Sequence, residues 1–171
     1  MPPTNAPKLD LTLESVEHEG EGYNSEKSFQ DSLILIKWTY TINSIDFTLQ
    51  NRSNKTIKVI WEEASFIDEK GEAKRVMHQG VKYIDRDNAQ PPTSVIRGAT
   101  LNDTISPTDK AFYMSGQYGG WYSRPIFEVS SWSSSGTEKI YDELRGKKVS
   151  ILLPIMSEGR TRDYIYTFVI K

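Results

Sequence analysis

Alternation with a period of two runs through this chain more strongly than any other pattern, and it points to sheets with one buried face rather than to helices. Ile45, Phe47 and Leu49 alternate with Asp46, Thr48 and Gln50, and Ile57, Val59 and Trp61 follow with Lys58 and Ile60 between them. The cluster Asn51-Arg52-Ser53-Asn54-Lys55 has the length of a hairpin turn, and asparagine tolerates the left-handed conformation, so these runs are expected to pair. A second hairpin is expected between Ser65-Phe66-Ile67 and Lys74-Arg75-Val76-Met77, across Asp68-Glu69-Lys70-Gly71. A third joins Val149, Ile151 and Leu153 to Tyr164, Tyr166, Phe168 and Ile170 through Ser157-Glu158-Gly159-Arg160.

Further strands are expected at 9–16, 32–39, 94–96, 111–115 and 126–129, roughly nine or ten in all. Only 138–145 reads as helix: Thr137 is positioned to cap it, Ile140 and Leu144 share a face, and Gly146 ends it. Such a short helix is expected to plug one end of the strand layers, and no alternation of strands with long helices supports an α/β fold. The expected architecture is therefore all-β, an antiparallel immunoglobulin-like sandwich over 9–171 with one helix near 138–145. Phe47, Leu49, Ile57, Val59, Trp61, Ile151, Leu153, Tyr166 and Phe168 are its expected core. Residues 1–8, with prolines at 2, 3 and 7, read as a flexible tether that a removed export segment or an ordinary start would explain equally.

Composition narrows the function classes. The 21 basic and 23 acidic residues are interspersed, leaving no cationic stripe for a phosphate backbone, so nucleic acid is not an expected partner. Cysteine is absent, which removes thiolate metal sites, a cysteine nucleophile and disulfides. No nucleophile elbow, phosphate loop, dinucleotide fingerprint or zinc-protease motif occurs, so no catalytic residues and no cofactor are assigned.

The two histidines carry little. His18, in Glu17-His18-Glu19-Gly20-Glu21, reads as part of a solvated charged turn, and His78 as a hydrogen-bonded residue at a strand end. Asp85-Arg86-Asp87-Asn88 gathers oxygen ligands that suit Ca²⁺, but without the glycine and distant glutamate of a calcium loop it reads as an acidic turn. No metal ligands are assigned.

The segment Tyr113-Met114-Ser115-Gly116-Gln117-Tyr118-Gly119-Gly120-Trp121-Tyr122-Ser123-Arg124-Pro125 interleaves four large aromatics with three glycines and an arginine. It reads as a glycine-hinged loop at one end of the domain. On the structural reading, the rings close that end and are buried, as large aromatics generally are. On the functional reading, Tyr118, Trp121 and Tyr122 are ligand anchors with Arg124 as polar partner, an arrangement suited to a glycan or peptide. Trp132 belongs to the same end, and the serine run after it reads as flexible linker.

Several phrases together, 51–61, 76–83, Ile105-Ser106-Pro107 and 146–155, resemble a group of uncharacterised bacterial cell-envelope proteins, often lipoproteins, whose soluble part is an immunoglobulin-like sandwich. The resemblance spans roughly residues 40 to 171. It implies an exported, periplasmic or surface-tethered domain, non-enzymatic, that binds or scaffolds another envelope protein or a glycan. Contact with a membrane would then run only through a removed N-terminal lipid anchor. The lipid-bearing cysteine of such proteins has no counterpart in this sequence.

Overall fold

A computed structural model describes the backbone of residues 9–127 and 134–171 and the side chains of 9–127 and 139–171. Among the described residues it contains fourteen strands, one α-helix and three short 3₁₀ turns. The first five strands are β1 (Leu11–Glu17), β2 (Gly22–Asn24), β3 (Ser28–Asp31), β4 (Ile34–Tyr40) and β5 (Ile45–Asn51). Next come β6 (Ile57–Val59), β7 (Ser65–Ile67), β8 (Ala73–His78), β9 (Thr93–Val95) and β10 (Thr100–Pro107). A separate pair, β11 (Ala111–Met114) and β12 (Gly120–Ser123), precedes α1 (Ser134–Leu144), and the chain closes with β13 (Lys148–Ser157) and β14 (Arg160–Ile170).

All pairings are antiparallel, and twelve strands form one continuous sheet in the order β1-β14-β13-β7-β8-β10-β5-β4-β3-β2, with β6 also on β13 and β9 on β6. β8 turns the corner: Ala73 to Arg75 pair with β7, and Val76 to His78 pair with β10. The sheet nearly closes on itself, since the Leu13 N–H donates to the Glu26 carbonyl at 2.7 Å and Lys27 reaches Asp10 at 2.7 Å. Closure of this kind removes most of the exposed sheet edge.

Inward-facing residues alternate as the sequence predicts, and all nine expected core residues are buried. One hydrophobic cluster runs from Leu11 to Ile170. Its aromatic centre joins the two ends of the strand order: Trp38 of β4 meets Tyr166 and Phe168 of β14 edge-on, with ring centroids 4.9 and 5.3 Å apart. Pro154 sits inside β13, where proline is usually excluded. Its carbonyl accepts from the Ile60 N–H at 3.0 Å, so its missing N–H faces the gap where β7 gives way to β6 rather than β14.

Two of the three expected hairpins form. β7 and β8 pair across 68–72 with Gly71 at φ 84°, and β13 and β14 pair across Glu158-Gly159. The third does not: β5 lies between β4 and β10, while β6 pairs with β13 and β9, so 51–56 is a crossover. Asn51 directs it. Fully buried, its Nδ2 donates to the carbonyls of Lys55 (2.7 Å) and Val95 (2.9 Å), and its Oδ1 accepts from the Ser53 N–H and hydroxyl.

The helix starts at Ser134, so Thr137 lies within it rather than capping it, and Ser134 to Gly136 are helical rather than linker. Tyr141 and Leu144 pack on the core, and Gly146 at φ 87° ends the helix with its N–H on the Ile170 carbonyl at 2.7 Å. The strand expected at 126–129 is a bend at Ile126 and Phe127, and its remainder falls outside the described residues. So do the tether at 1–8 and Trp132.

Candidate functional site

The aromatic segment is a hairpin, not a loop. β11 and β12 form their own two-stranded sheet, with Phe112 opposite Tyr122 and Tyr113 opposite Trp121. The Arg124 N–H donates to the Lys110 carbonyl at the base, where Ala111 is buried. At the turn, Gly119 admits no side chain: a Cβ there would lie 2.7 Å from the Met114 carbonyl oxygen and 2.9 Å from that of Gly116.

Burial of the rings at this end, the structural reading of the sequence, fails for three of them: Tyr113, Tyr118 and Tyr122 are 61%, 82% and 42% exposed, and Trp121 is half-buried. The joint site of Tyr118, Trp121, Tyr122 and Arg124 does not assemble either. Successive residues of a strand point to opposite faces, so Trp121 and Tyr122 diverge. Tyr122 lies over Phe112 at 5.9 Å, its hydroxyl donates to the Tyr118 carbonyl at 2.7 Å, and the Arg124 guanidinium sits 4.6 Å from the Phe112 ring. Tyr118 itself projects from the tip.

Trp121 faces the other way and gains partners that spacing did not reveal. Tyr113 meets it edge-on at 5.6 Å, and the Arg86 guanidinium lies 5.0 Å from its ring centre, within cation–π range. Arg86 is held there by a bond from Nη1 to the Tyr83 carbonyl (3.0 Å) and by Asp87 at 3.8 Å. A 3₁₀ turn at Tyr83–Asp85 presents the adjoining chain. Val81, Lys82, Tyr83 and Ile84 join Trp121 around an open, mostly apolar concavity of about 400 Å³, in which Ile84 is 66% exposed. A large aliphatic side chain held in water beside a tryptophan is what a recognition patch displays.

From Asp85-Arg86-Asp87-Asn88 it is the arginine that reaches the Trp121 ring. Asp85 accepts from the Asn88 amide at 3.1 Å, and among the described residues no three His, Asp or Glu side chains are grouped to ligate a metal.

His78 ends β8 as expected and is firmly held. Its Nδ1 lies 3.1 Å from Asp103 Oδ2, its ring stacks on Trp61 at 4.1 Å and 3°, and Asp103 Oδ1 accepts from the N–H groups of Gln79 and Thr104. A carboxylate-oriented imidazole suits general base work, but no described hydroxyl bonds to this one. His18 departs from the solvated reading: half-buried, it packs on Phe29 at 4.8 Å and closes that end of the core.

A larger groove of about 510 Å³ runs between the 68–72 turn, the 3₁₀ turn at Thr108–Lys110 and α1. Its floor is Phe66, Ile126 and Leu144, and its rim mixes both charges, Lys74 bridging Glu72 (3.0 Å) and Asp109 (3.3 Å). Hydrogen bonds to Glu72 and Asp109 raise the Lys74 pKa. With its central cation already satisfied, this groove presents less unspent recognition chemistry than the Trp121 concavity. No family model, no curated protein and no solved structure matches this chain.

Proposed function

We propose that this is a non-enzymatic binding or scaffolding domain of the bacterial cell envelope, recognising a protein partner through the concavity beside Trp121. The observation that carries the reading is exposed Ile84 beside the half-buried Trp121 ring, backed by Arg86 and rimmed by Lys82. An aromatic anchor with an apolar neighbour and a pre-positioned arginine has the composition of an interface centre. The immunoglobulin-like sandwich belongs to the same proposal. It draws support from the ring contacts between Trp38 of β4 and Tyr166 and Phe168 of β14, and from β8, which pairs with β7 along one half and with β10 along the other. Envelope location rests on the sequence resemblance alone.

The test is capture of partners from envelope extracts by the parent, by Trp121→Ala and by Ile84→Asp, after thermal melts establish that each variant folds. Each substitution is expected to weaken capture by at least about 2 kcal/mol, as removal of an interface anchor does. Undiminished capture by both variants refutes the site. A second reading, a carbohydrate module at the hairpin of Tyr118, Trp121 and Tyr122, draws support from the exposure of Tyr118 and Tyr122. It predicts signal on a glycan array that Tyr118→Ala and Trp121→Ala both reduce.

A further inference from the structure

We infer that Asp103 and Thr93 are positioning residues for the concavity beside Trp121: through His78 and Trp61 they tie both ends of the segment 79–92, which carries Val81, Lys82, Tyr83, Ile84 and Arg86. The inference rests on the reading of that concavity as the binding site, and adds the residues that hold it in place.

The segment joins β8 to β9 and cannot place itself. From 80 to 87 its hydrogen bonds among the described residues all close within 78–88. The N–H groups of Val81, Asp85, Arg86 and Asn88 donate to the carbonyls of His78, Lys82, Tyr83 and Asp85. Such turns fix local shape and leave the placement of the whole segment to its two ends.

Both ends meet on one indole. At the first, the Gln79 N–H donates to Asp103 Oδ1 at 2.8 Å, while Oδ2 of the same carboxylate lies 3.1 Å from His78 Nδ1. The His78 ring in turn lies flat on Trp61, 4.1 Å away and 3° from parallel. At the second end, Trp61 Nε1 donates to Thr93 Oγ1 at 2.8 Å. Beside it, Gln90 Nε2 donates to the Val76 carbonyl at 2.8 Å, and the Gln90 N–H donates to the Glu62 carboxylate. Trp61 is fully buried, so it acts as a plate with one end of the segment on its face and the other on its edge.

Core packing alone does not call for this chemistry. Asp103 and Gln90 are buried polar groups, and burying a carboxylate is costly, so apolar residues at these places would stabilise the fold at least as well. What the polar groups add is direction, since a hydrogen bond holds its two atoms at a set distance and angle. Ends fixed in the free chain reduce the ordering that a partner must impose when it seats against Ile84.

The experiment is amide hydrogen exchange of the full, free chain, resolved by residue. Thr93→Val keeps the branched shape and removes the acceptor of the Trp61 N–H, and Thr93→Ser restores that acceptor. Asp103→Ala unties Gln79. Asp103→Asn keeps an oxygen for the Gln79 N–H, and its amide donates to His78 Nδ1 once the imidazole proton moves to Nε2. The amides of Val81, Asp85, Arg86 and Asn88 touch none of these groups. They are expected to exchange at least about tenfold faster in Thr93→Val and Asp103→Ala, and within about threefold of the parent in Thr93→Ser and Asp103→Asn. Val149→Ala, a core truncation in β13, lowers global stability and is expected to leave the same amides within about twofold, because they exchange by local opening. The Trp121 indole resonance in the proton–nitrogen spectrum is expected to move in Thr93→Val, as Arg86 shifts over the ring, and to return in Thr93→Ser.

Parent-like exchange in both untied variants overturns the inference, as does a Trp121 resonance that stays in place. Exchange that rises equally in Val149→Ala and Thr93→Val makes the cluster part of general stability and overturns it too. Should Asp103→Ala not fold, the two Thr93 variants decide. Ile84→Asp keeps every tie and is expected to exchange like the parent, so undiminished capture by it and by Trp121→Ala refutes the binding site while the exchange result stands on its own.

Discussion

Asn51 carries a large structural consequence for one polar residue, because it is fully buried and uses both ends of its amide. It ends β5, ties down the 51–55 loop and grips the last residue of β9, so one side chain sets where the strand path leaves its neighbours. Replacement by alanine takes its donor from the buried Val95 carbonyl and unties the loop at Lys55. Asn51→Ala is expected to lose about 2 to 4 kcal/mol in urea unfolding, several times an exposed substitution. Tyr166 presents the opposite case. It is fully buried, and its hydroxyl finds no hydrogen-bond partner among the described residues. Tyr166→Phe removes that unpaired group while keeping the ring contacts to Trp38 and Phe29, and is expected to leave stability unchanged or to raise it by up to about 1 kcal/mol. A loss above about 1 kcal/mol in the same titration would mean the hydroxyl is satisfied.

Among the elements, the β13–β14 hairpin carries a correctable flaw. Its two-residue turn has both residues at positive φ, Glu158 at 53° and Gly159 at 74°. This is the geometry whose twist matches paired strands, and glutamate is poorly suited to its first position. Glu158→Asn is expected to raise the unfolding midpoint, by about 0.5 to 1 kcal/mol in free energy, because the 3.8 Å contact to Lys55 that it removes is solvent-exposed and contributes little. This hairpin was legible in the sequence because its turn, its register and its alternation all agree. The 51–55 turn misled because turn residues mark a reversal without naming the partner strand, and β5 finds better neighbours on both edges. β10 went unread for a different reason. Its inward positions include Asp103, whose carboxylate is buried against His78 and backbone N–H groups, so the alternation carries a charge where an apolar residue is expected. The site was half legible. The aromatic segment marked Trp121, but glycines disguised β12 as loop, and no local spacing links Trp121 to Arg86 and Ile84, which tertiary folding alone brings together.

At the scale of the whole molecule, the seam where the sheet nearly closes is built on phenols that must stay protonated. Tyr164 of β14 donates to Asp31 Oδ2 of β3 at 2.7 Å, while Asp31 Oδ1 takes the N–H groups of Leu33 and Ile34. Phe29 packs against both Tyr164 and Tyr166, and Tyr40 lies beneath the helix end of the core. Burial, followed by the hydrogen bond to Asp31, pushes the Tyr164 pKa far above 10, and burial followed by the charges of Tyr164 and Asp31 does the same for Tyr166. Burial, then Tyr141 and Asp10, pushes Tyr40 to about 12. In the unfolded chain these phenols ionise near pH 10, so above that pH the unfolded state binds fewer protons than the folded one. The stabilisation they provide is complete below about pH 10 and declines as the pH rises toward the folded values, by about 1.4 kcal/mol per pH unit for each phenol that remains protonated in the fold. Urea midpoints are therefore expected to hold steady from pH 8 to 9.5 and to fall steeply by pH 11. In Tyr164→Phe/Tyr166→Phe, which starts lower at neutral pH for want of the Asp31 bond, the alkaline fall is expected to be shallower. An equally steep fall in that variant would place the alkaline sensitivity elsewhere, outside the seam that joins β3 to β14.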